Sequence, residues 1–330
     1  MYQPEQYVVV LGFMIVSMVC WGSWANTLKL CPRFAFQLFY WDYTIGLMVG
    51  ALFWGFTLGS SGASGLSFVE DLKQVQMSSI LWAAAGGAVF NLANLLLVAA
   101  IDIAGMAVAF PIGIGLALVI GSVGGYVIAP VGNPYLAFGG VALVVAAIVC
   151  DALAYKARGT ERSALQTRGI VISLVAGALM GTFYPLVTRS MTGRGHLPGP
   201  YAITFLFICG AFLSNIPVNF FFMKKPTGGG GALQMREYFA AKPAWHLYGV
   251  LGGVVWATGA TASFVSSRAH SVGSAVSYSL GQGATMISAI WGIFVWKEFV
   301  GASTTARRYL VAMFVLFLLG LTALAASPTF

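Results

Sequence analysis

One carboxyl group lies inside an apolar segment, where a charge is energetically expensive. Asp42, in the segment F-Y-W-D-Y-T, is about seven residues into this segment, or roughly 10 Å of helix rise from its start. A carboxyl group at that depth needs a polar cavity, a partner or a proton. Two interpretations stay open for Asp42: a site that binds a solute and couples transport to protons, and a structural hydrogen bond to neighbouring helices.

Three amide side chains lie at similar depth in other apolar segments. Asn91 and Asn94 are three residues apart and share one face of a helix, and Gln282 lies in a later segment. Such amides either bond across helices or offer paired donors and acceptors to a polar solute. Aromatic side chains around a few amides are typical of a site for a neutral, flat or ring-shaped ligand. The aromatic candidates are Trp21, Trp24, Tyr40, Tyr184, Trp256 and Tyr278.

Two further acids, Asp151 and Glu298, lie near the ends of apolar segments. Pairing with loop Lys or Arg residues and a role in a gate both stay open for them. The histidines, His196, His246 and His270, are too scattered to predict a metal site, and neither H-E-x-x-H nor a phosphate-binding P-loop sequence is present. We therefore expect a protein that is not an enzyme and that uses no metal and no cofactor.

The composition predicts that the solvent of this chain is lipid. Hydrophobic residues make up 59% of the 330 residues and charged residues only 8%, which is too few to cover a soluble domain of this size. The formal net charge of +8 does not indicate a nucleic-acid partner, because the basic residues fall in loops between apolar segments. The lipid bilayer is the expected partner instead.

A helix that crosses a bilayer needs about 20 mainly apolar residues, because every backbone polar group must be hydrogen-bonded within the helix. This criterion predicts an all-α membrane protein with ten transmembrane helices. The predicted spans are Tyr7 to Ala25, Ala35 to Leu58, Ser78 to Ala100, Ile103 to Ile128, Tyr135 to Leu153, Gly169 to Val187, Tyr201 to Met223, Trp245 to Val265, Val272 to Trp296 and Tyr309 to Ala326.

The chain contains an internal repeat. The segment from Gly105 to Gly115, G-M-A-V-A-F-P-I-G-I-G, recurs 168 residues later from Gly273 to Gly283 as G-S-A-V-S-Y-S-L-G-Q-G. Upstream, G-G-A-V-F from Gly86 recurs 166 residues later as G-G-V-V-W from Gly252. Small residues at these places allow helices to pack closely, and close packing also exposes backbone to a central cavity.

Each half of the chain holds five predicted spans. Because five is odd, the two halves must enter the membrane from opposite sides, which predicts two inverted five-helix repeats at residues 1–157 and 158–330. Thirteen of the 17 Lys and Arg residues fall in loops on one side and four on the other. The positive-inside rule then places both termini outside, in a bacterial-type inner (plasma) membrane.

Several motifs resemble a known family. The ten-span plan and W-K-E-F-V-G at Trp296 are similar to the drug/metabolite transporter superfamily. The segments W-D-Y-T-I-G-L-M-V-G-A-L at Trp41, A-G-G-A-V-F-N-L-A-N at Ala85 and G-P-Y-A-I-T-F at Gly199 resemble its branch of ureide permeases and glucose/ribose uptake permeases. The resemblance implies a secondary importer that works by alternating access, in some members driven by protons, with the solute between the halves. Asp42 and Asn94 match motif positions of the branch.

We therefore expect a secondary active transporter that imports a small polar solute, either a sugar or a ureide or other purine-derived compound. The expected partners are this solute and a proton or another monovalent cation, and the chain is expected to be a monomer or homodimer. Two alternatives stay open: a metabolite or drug exporter of the same fold, and a membrane receptor or scaffold that does not transport.

Overall fold

The computed structural model describes residues 1–104, 106–158, 167–192, 196–226, 231–269 and 272–329, and these contain helices and no strand. The side chains of residues 102, 106–108, 110 and 111 are likewise outside the description. The α-helices are α1 Tyr7–Ser23, α2 Asn26–Lys29, α3 Phe36–Phe56, α4 Phe68–Gln74, α5 Met77–Ala104, α6 Met106–Ile128, α7 Pro134–Arg158, α8 Thr167–Ser190, α9 Pro200–Lys224, α10 Met235–Phe239, α11 Pro243–Arg268, α12 Gly273–Gly281, α13 Ala284–Ile290 and α14 Thr304–Ala326. A π-helix, Trp291–Val295, follows α13, and a 3-10 turn, Ser327–Thr329, follows α14.

Seven helical segments of the described chain are long and apolar enough to cross a membrane. They are Tyr7–Lys29, Met77–Ile101, Pro134–Arg158, Thr167–Ser190, Pro200–Lys224, Pro243–Arg268 and Thr304–Thr329. The other three predicted spans overlap α3, α6 and the α12–α13 pair. The count of ten crossings and the inverted repeat stay predictions, and the predicted seam between the halves adjoins residues 159–166, outside the described residues.

The ninth predicted span differs from the expectation of one continuous helix. Helix α12 ends at Gly281, Gln282 caps it, and α13 begins at Ala284 before the backbone widens into the π-helix. Glycine is a poor helix former, and Gly281 and Gly283 flank Gln282 in the sequence L-G-Q-G. The break therefore lies where the helix is intrinsically weakest, and it places an amide side chain at an interruption.

Helices α3 and α11 cross at two glycines without side chains to hold them apart. A Cβ atom added to Gly46 would collide with the backbone of Val250, and one added to Gly253 would collide with the carbonyl oxygen of Tyr43. Only glycine fits at such a backbone contact, because any side chain would force the helices apart.

Helices α5 and α9 cross in the same way. A Cβ atom on Gly87 would collide with the carbonyl oxygen of Phe207, and one on Gly210 would collide with the backbone of Ala84. Gly87 and Gly253 are the pair that the sequence repeat aligns at a spacing of 166 residues. The aligned glycines therefore make equivalent contacts, each between a helix of one half and a helix of the other.

The helix bundle has two ends that differ in charge. At the end that we call the terminal end, the Met1 ammonium donates to the Ser64 carbonyl at 2.8 Å and Asn133 N–H donates to the Ser327 carbonyl at 2.8 Å, so both chain termini lie there. The opposite end, which we call the basic end, carries Lys29, Arg33, Lys156, Arg158, Arg168, Lys224, Lys225, Arg236, Lys242, Lys297, Arg307 and Arg308. The terminal end carries Lys73, Arg189 and Arg268, and Arg162 and Arg194 are outside the described residues.

Candidate functional site

A cavity of about 190 Å³ lies between the two halves of the chain, closer to the basic end. It lies beside the last turn of α1, where Trp21 and Gly22 line it, and beside α13. The residues that line it are Trp21, Gly22, Trp24, Ala25, Phe90, Asn94, Leu97, Ile114, Met180, Phe183, Trp256, Gln282, Ala284, Thr285 and Ser288. Both halves contribute, so a change in their relative position would change the shape of the cavity.

Stacked aromatic rings form one wall of the cavity. The Trp21 ring lies 5.7 Å from Trp256 at an interplanar angle of 24°, and Trp256 lies 4.4 Å from Phe90. Glycines hold the Trp21 indole on both sides: a Cβ atom on Gly259 would lie 2.8 Å from its Cδ1, and one on Gly281 would lie 2.9 Å from its Cζ3. The buried Trp21 Nε1 has no hydrogen-bond partner. The wall therefore offers a flat apolar surface to the cavity.

The polar groups of the cavity come from α5 and from the broken α12–α13 segment. They are the side chains of Asn94, Gln282, Thr285 and Ser288. Asn94 Nδ2 donates to Tyr40 Oη at 3.2 Å, so Tyr40 supports Asn94 from the buried side, behind the cavity wall. This arrangement leaves the Asn94 carbonyl oxygen as an acceptor.

Buried hydroxyl groups fill the space between the cavity and the terminal end. Tyr184 Oη lies 2.8 Å from Ser263 Oγ, and Ser277 Oγ donates to the Ser263 carbonyl at 2.9 Å. Ser122 Oγ and Ser279 Oγ lie 2.6 Å apart and join α6 to α12. These bonds connect helices of both halves in a region that solvent does not reach.

Two other predicted residues are buried outside the cavity lining. Tyr278 Oη donates to the Ala117 carbonyl at 3.3 Å, and its ring packs against Tyr184 at 4.6 Å. Both atoms of the Asn91 amide are buried without a hydrogen-bond partner. Of the ten predicted solute-binding residues, the cavity thus brings together Trp21, Trp24, Asn94, Trp256 and Gln282.

Asp42 lies outside the cavity lining, in a polar cluster at the basic end. Its side chain is 4% exposed. Tyr238 Oη donates to Asp42 Oδ1 at 2.6 Å, and His246 Nδ1 lies 2.7 Å from Asp42 Oδ2. Burial, the hydrogen bond to Asp42 and its negative charge raise the pKa of Tyr238, which keeps the phenol a donor. The Phe34 ring packs on both partners, at 6.4 Å from Tyr238 and 5.6 Å from His246.

A second cluster at the basic end is centred on Glu298. Its carboxylate makes an ion pair with Lys29 and accepts a hydrogen bond from Tyr155 Oη at 2.7 Å, and Arg158 donates to its backbone carbonyl at 2.9 Å. Burial alone would raise the pKa of Glu298, but the hydrogen bonds from Lys29 and Tyr155 and the positive charges of Lys29 and Arg158 outweigh it and lower the pKa. The predicted Asp151 is buried, and its Oδ1 has no partner.

Sequence reasoning did not identify the partners of Asp42 or the hydroxyl lining of the cavity. His246 is 204 residues from Asp42, and Tyr238 lies in a short loop helix. Thr285 and Ser288 stand in an apolar stretch with no unusual pattern. The only signal for His246 was its position at the start of a predicted span, where a charged or polar ring faces the ends of neighbouring helices.

Comparison with known proteins points to one family. A model of the ureide permease family matches residues 39–168. The chain is 22% identical to ureide permease 1 and 23% identical to ureide permease 4 of Arabidopsis thaliana, in each case over 99% of both chains. It is 22% identical to ureide permease 5 of the same plant, over 95% of this chain and 93% of the relative. The chain is thus an integral, multi-pass membrane protein that is similar to permeases over its whole length.

Proposed function

We propose that this chain is a secondary transporter that imports a small, neutral, planar solute of the ureide type. The observation that carries the proposal is the cavity between the two halves, whose lining combines a stacked aromatic wall with amide and hydroxyl side chains. The names of the relatives supply the solute class, since they are ureide permeases that align with the full chain. Homology to permeases also argues against an enzyme.

A ureide suits this cavity for physical reasons. Its planar N–C(=O)–N groups stack on aromatic rings, and each carries both N–H donors and a carbonyl acceptor. The Asn94 and Gln282 amides, which line the cavity, match N–H and C=O groups together. A sugar is the second candidate solute, because hydroxyl groups also bind to amides and aromatic rings.

The transport cycle that we propose is alternating access between two inverted five-helix repeats. The equivalent glycine crossings of α3 with α11 and of α5 with α9 support the inverted repeat, and they offer contacts about which the halves can rock. The cavity lies toward the basic end, and buried hydroxyl groups fill the opposite side, as expected for a conformation that faces the basic end. By the positive-inside rule this end is cytoplasmic and both termini are outside. The drug/metabolite transporter superfamily, the sugar-permease branch and the inner (plasma) membrane stay predictions.

Proton coupling is assigned to Asp42 in this proposal. Its side chain is only 4% exposed, and its two oxygens contact Tyr238 and His246, so a change in its proton count must change these contacts. His246 is the neighbouring group with which Asp42 can exchange a proton, since its Nδ1 lies 2.7 Å from Asp42 Oδ2. Asp42 lies on α3 of the first half and His246 on α11 of the second half, so a change in the proton count of the pair acts on the contact between the halves.

Solute binding provides the first test. We expect the thermal stability of the detergent-purified protein to rise with a ureide such as allantoin, because a ligand that binds only the native state stabilises it. The substitution Trp21→Phe keeps one aromatic ring and removes the rest of the indole surface, and we expect it to weaken binding about tenfold, as for the loss of part of an aromatic stacking contact. The matched control is Trp54→Phe, because the Trp54 N–H donates to Thr258 Oγ1 at 2.8 Å outside the cavity lining.

The outcomes separate the candidate functions. Stabilisation by pentoses or hexoses, and not by ureides or nucleobases, would assign the sugar as solute. Equal binding by the Trp21→Phe and Trp54→Phe variants would mean that the cavity is not the solute site. A protein that binds a solute but shows no counterflow in proteoliposomes would be a receptor. Solute transport that runs only outward would identify an exporter.

A further inference from the structure

A second acid–histidine pair lies at the terminal end of the molecule. Asp71 Oδ1 lies 2.7 Å from His196 Nε2, and Asp71 Oδ2 accepts a hydrogen bond from Gly199 N–H at 2.7 Å. The Asp71 side chain is only 1% exposed, whereas that of His196 is 33% exposed. Both carboxylate oxygens are therefore used, and the histidine remains in contact with solvent.

This contact joins the two halves of the chain at one point. Asp71 lies on α4, which connects α3 with α5 in the first half, and Gly199 is the N-cap of α9 in the second half. The contact lies on the same side of the cavity as the hydroxyl cluster of Tyr184 and Ser263. A movement that separates α4 from the start of α9 would break the contacts of Asp71 with Gly199 and His196.

The charged groups around the pair are few. Arg268, at the end of α11, acts electrostatically on Asp71, and its guanidinium donates to the Met191 carbonyl at 3.1 Å. The Met1 side chain packs against Gly199, while the Met1 ammonium donates to the carbonyls of Ser64 and Leu66. On α4 itself, Glu70 caps the helix and Lys73 is exposed. Arg194 and His270 are outside the described residues.

We propose that Asp71 and His196 form a proton-binding latch that holds the terminal end closed. A proton added to the imidazole of His196 would place a cation beside the Asp71 carboxyl group. Charge-assisted hydrogen bonds are roughly twice as strong as neutral ones, so the protonated latch is stronger. Release of the proton weakens the contact and favours opening. The role of this latch in a transport cycle rests on the proposed function, whereas its pH-dependent contact does not.

The test is hydrogen–deuterium exchange of the full-length purified protein at about pH 6 and about pH 8, where histidine changes charge. Peptides that cover α4 and the start of α9 report the opening of this contact, after correction for intrinsic exchange rates. In the wild-type protein we expect opening to be at least about threefold more frequent at the higher pH. In His196→Gln, which can donate a hydrogen bond but cannot take up a proton, opening should not depend on pH. The control Lys73→Gln, which removes a charge from the same helix, should retain the wild-type pH dependence.

Either of two results would overturn the latch: no pH dependence in the wild-type protein, or the same pH dependence in His196→Gln. The variant Asp71→Asn should open often at both pH values, and if it does not fold, the comparison of His196→Gln with Lys73→Gln still decides. Solute binding, measured in the same samples by thermal stability, keeps the two proposals apart. If hydrogen exchange shows the expected pH dependence but no solute binds, the latch is retained and the transporter proposal is rejected. If a solute binds but hydrogen exchange shows no pH dependence, the transporter proposal is retained and the latch is rejected.

Discussion

The two ends of the molecule use equivalent backbone positions but different side chains. At each end a short helix, α4 or α10, follows the second long helix of its half and begins with a capping box, Ser67 with Glu70 or Gln234 with Glu237. At the terminal end, α4 binds the start of α9 through Asp71 and the Gly199 N–H. At the basic end, Tyr238 of α10 packs against the Phe34 ring just before α3 and donates a hydrogen bond to the Asp42 carboxyl group of α3.

This difference shows which part of the chain the repeat preserves. The close crossings of α3 with α11 and of α5 with α9 are the same backbone contact made twice. The polar contacts are not the same. Gly46 and Gly210 occupy equivalent places in the two crossings and lie 164 residues apart, and the residue 164 positions after Asp42 is Leu206.

The largest effect that we expect on transport is from Asp42→Asn, which tests whether the two ends are functionally different. The amide can retain hydrogen bonds with Tyr238 and His246 but cannot take up and release a proton. We expect more than a tenfold loss of uphill solute accumulation in proteoliposomes with an inward proton gradient, equivalent to about 1.4 kcal/mol or more.

Exchange of solute without a gradient should persist in Asp42→Asn, which serves as the control for folding. The variant Asp71→Asn should retain accumulation to a greater extent, because the proton of the Asp71–His196 latch adjusts the closure of one end and is not the proposed coupling proton. Undiminished accumulation in Asp42→Asn would remove this residue from the coupling mechanism, and equal losses in both variants would remove the distinction between the ends.

The next effect concerns stability and tests the equivalence of the two crossings. In Gly87→Ala and Gly253→Ala the new Cβ atom meets a backbone carbonyl oxygen of the facing helix, which cannot move without displacing that helix. We expect each variant to lose about 1–3 kcal/mol of stability, as for an overpacked core. Thermal unfolding in detergent measures the change.

Gly12→Ala and Gly139→Ala are the matched controls, because a Cβ atom at either position meets nothing within 4 Å. They should change stability by less than about 0.5 kcal/mol. If Gly87→Ala were tolerated and Gly253→Ala were not, the two crossings would differ in rigidity, and the halves would not rock symmetrically.

Much of this packing could be predicted from the sequence, and for an identifiable reason. A repeat at a fixed spacing marked Gly87 and Gly253 because helix crossings tolerate only glycine at a backbone contact, so the residue type itself carries the signal. The depth of Asp42 in an apolar segment likewise marked it as costly. Five of the ten candidate residues line the cavity, and residue type and position in an apolar segment are enough to select them.

The partners of the acids could not be predicted from the sequence. His246 and His196 lie 204 and 125 residues from their carboxyl groups, and no spacing rule links residues that meet only through tertiary packing. The sequence does not predict the break at Gln282, because two neighbouring glycines lower the helix propensity without showing whether the helix is interrupted. The sequence does not distinguish Tyr184 and Tyr278 from residues that line the cavity, because an aromatic residue in an apolar segment can contact either a ligand or another ring.

The smallest expected effect is on acid stability and concerns the Glu298 cluster at the basic end. The described part of the terminal end shows no counterpart in which a carboxylate pairs with Lys or Arg. The pKa of Glu298 is lower in the folded protein than in the unfolded chain, because Lys29, Tyr155 and Arg158 favour its carboxylate over the opposing effect of burial. Its contribution to stability is therefore fully present above the unfolded pKa, about 4.3. That contribution is lost as the pH falls through the lower folded pKa.

We expect Glu298→Gln to be less stable than the wild-type protein near neutral pH, by less than about 1 kcal/mol because the ion pair is partly exposed. The difference should shrink as the pH falls below about 4, where the wild-type carboxylate also takes up a proton. Thermal unfolding from neutral to acid pH measures it, with the exposed Glu5→Gln as control. A stability difference that stays constant into acid would show that the neutral hydrogen bond from Tyr155, and not the charge of Glu298, holds α7 to the end of the ninth span.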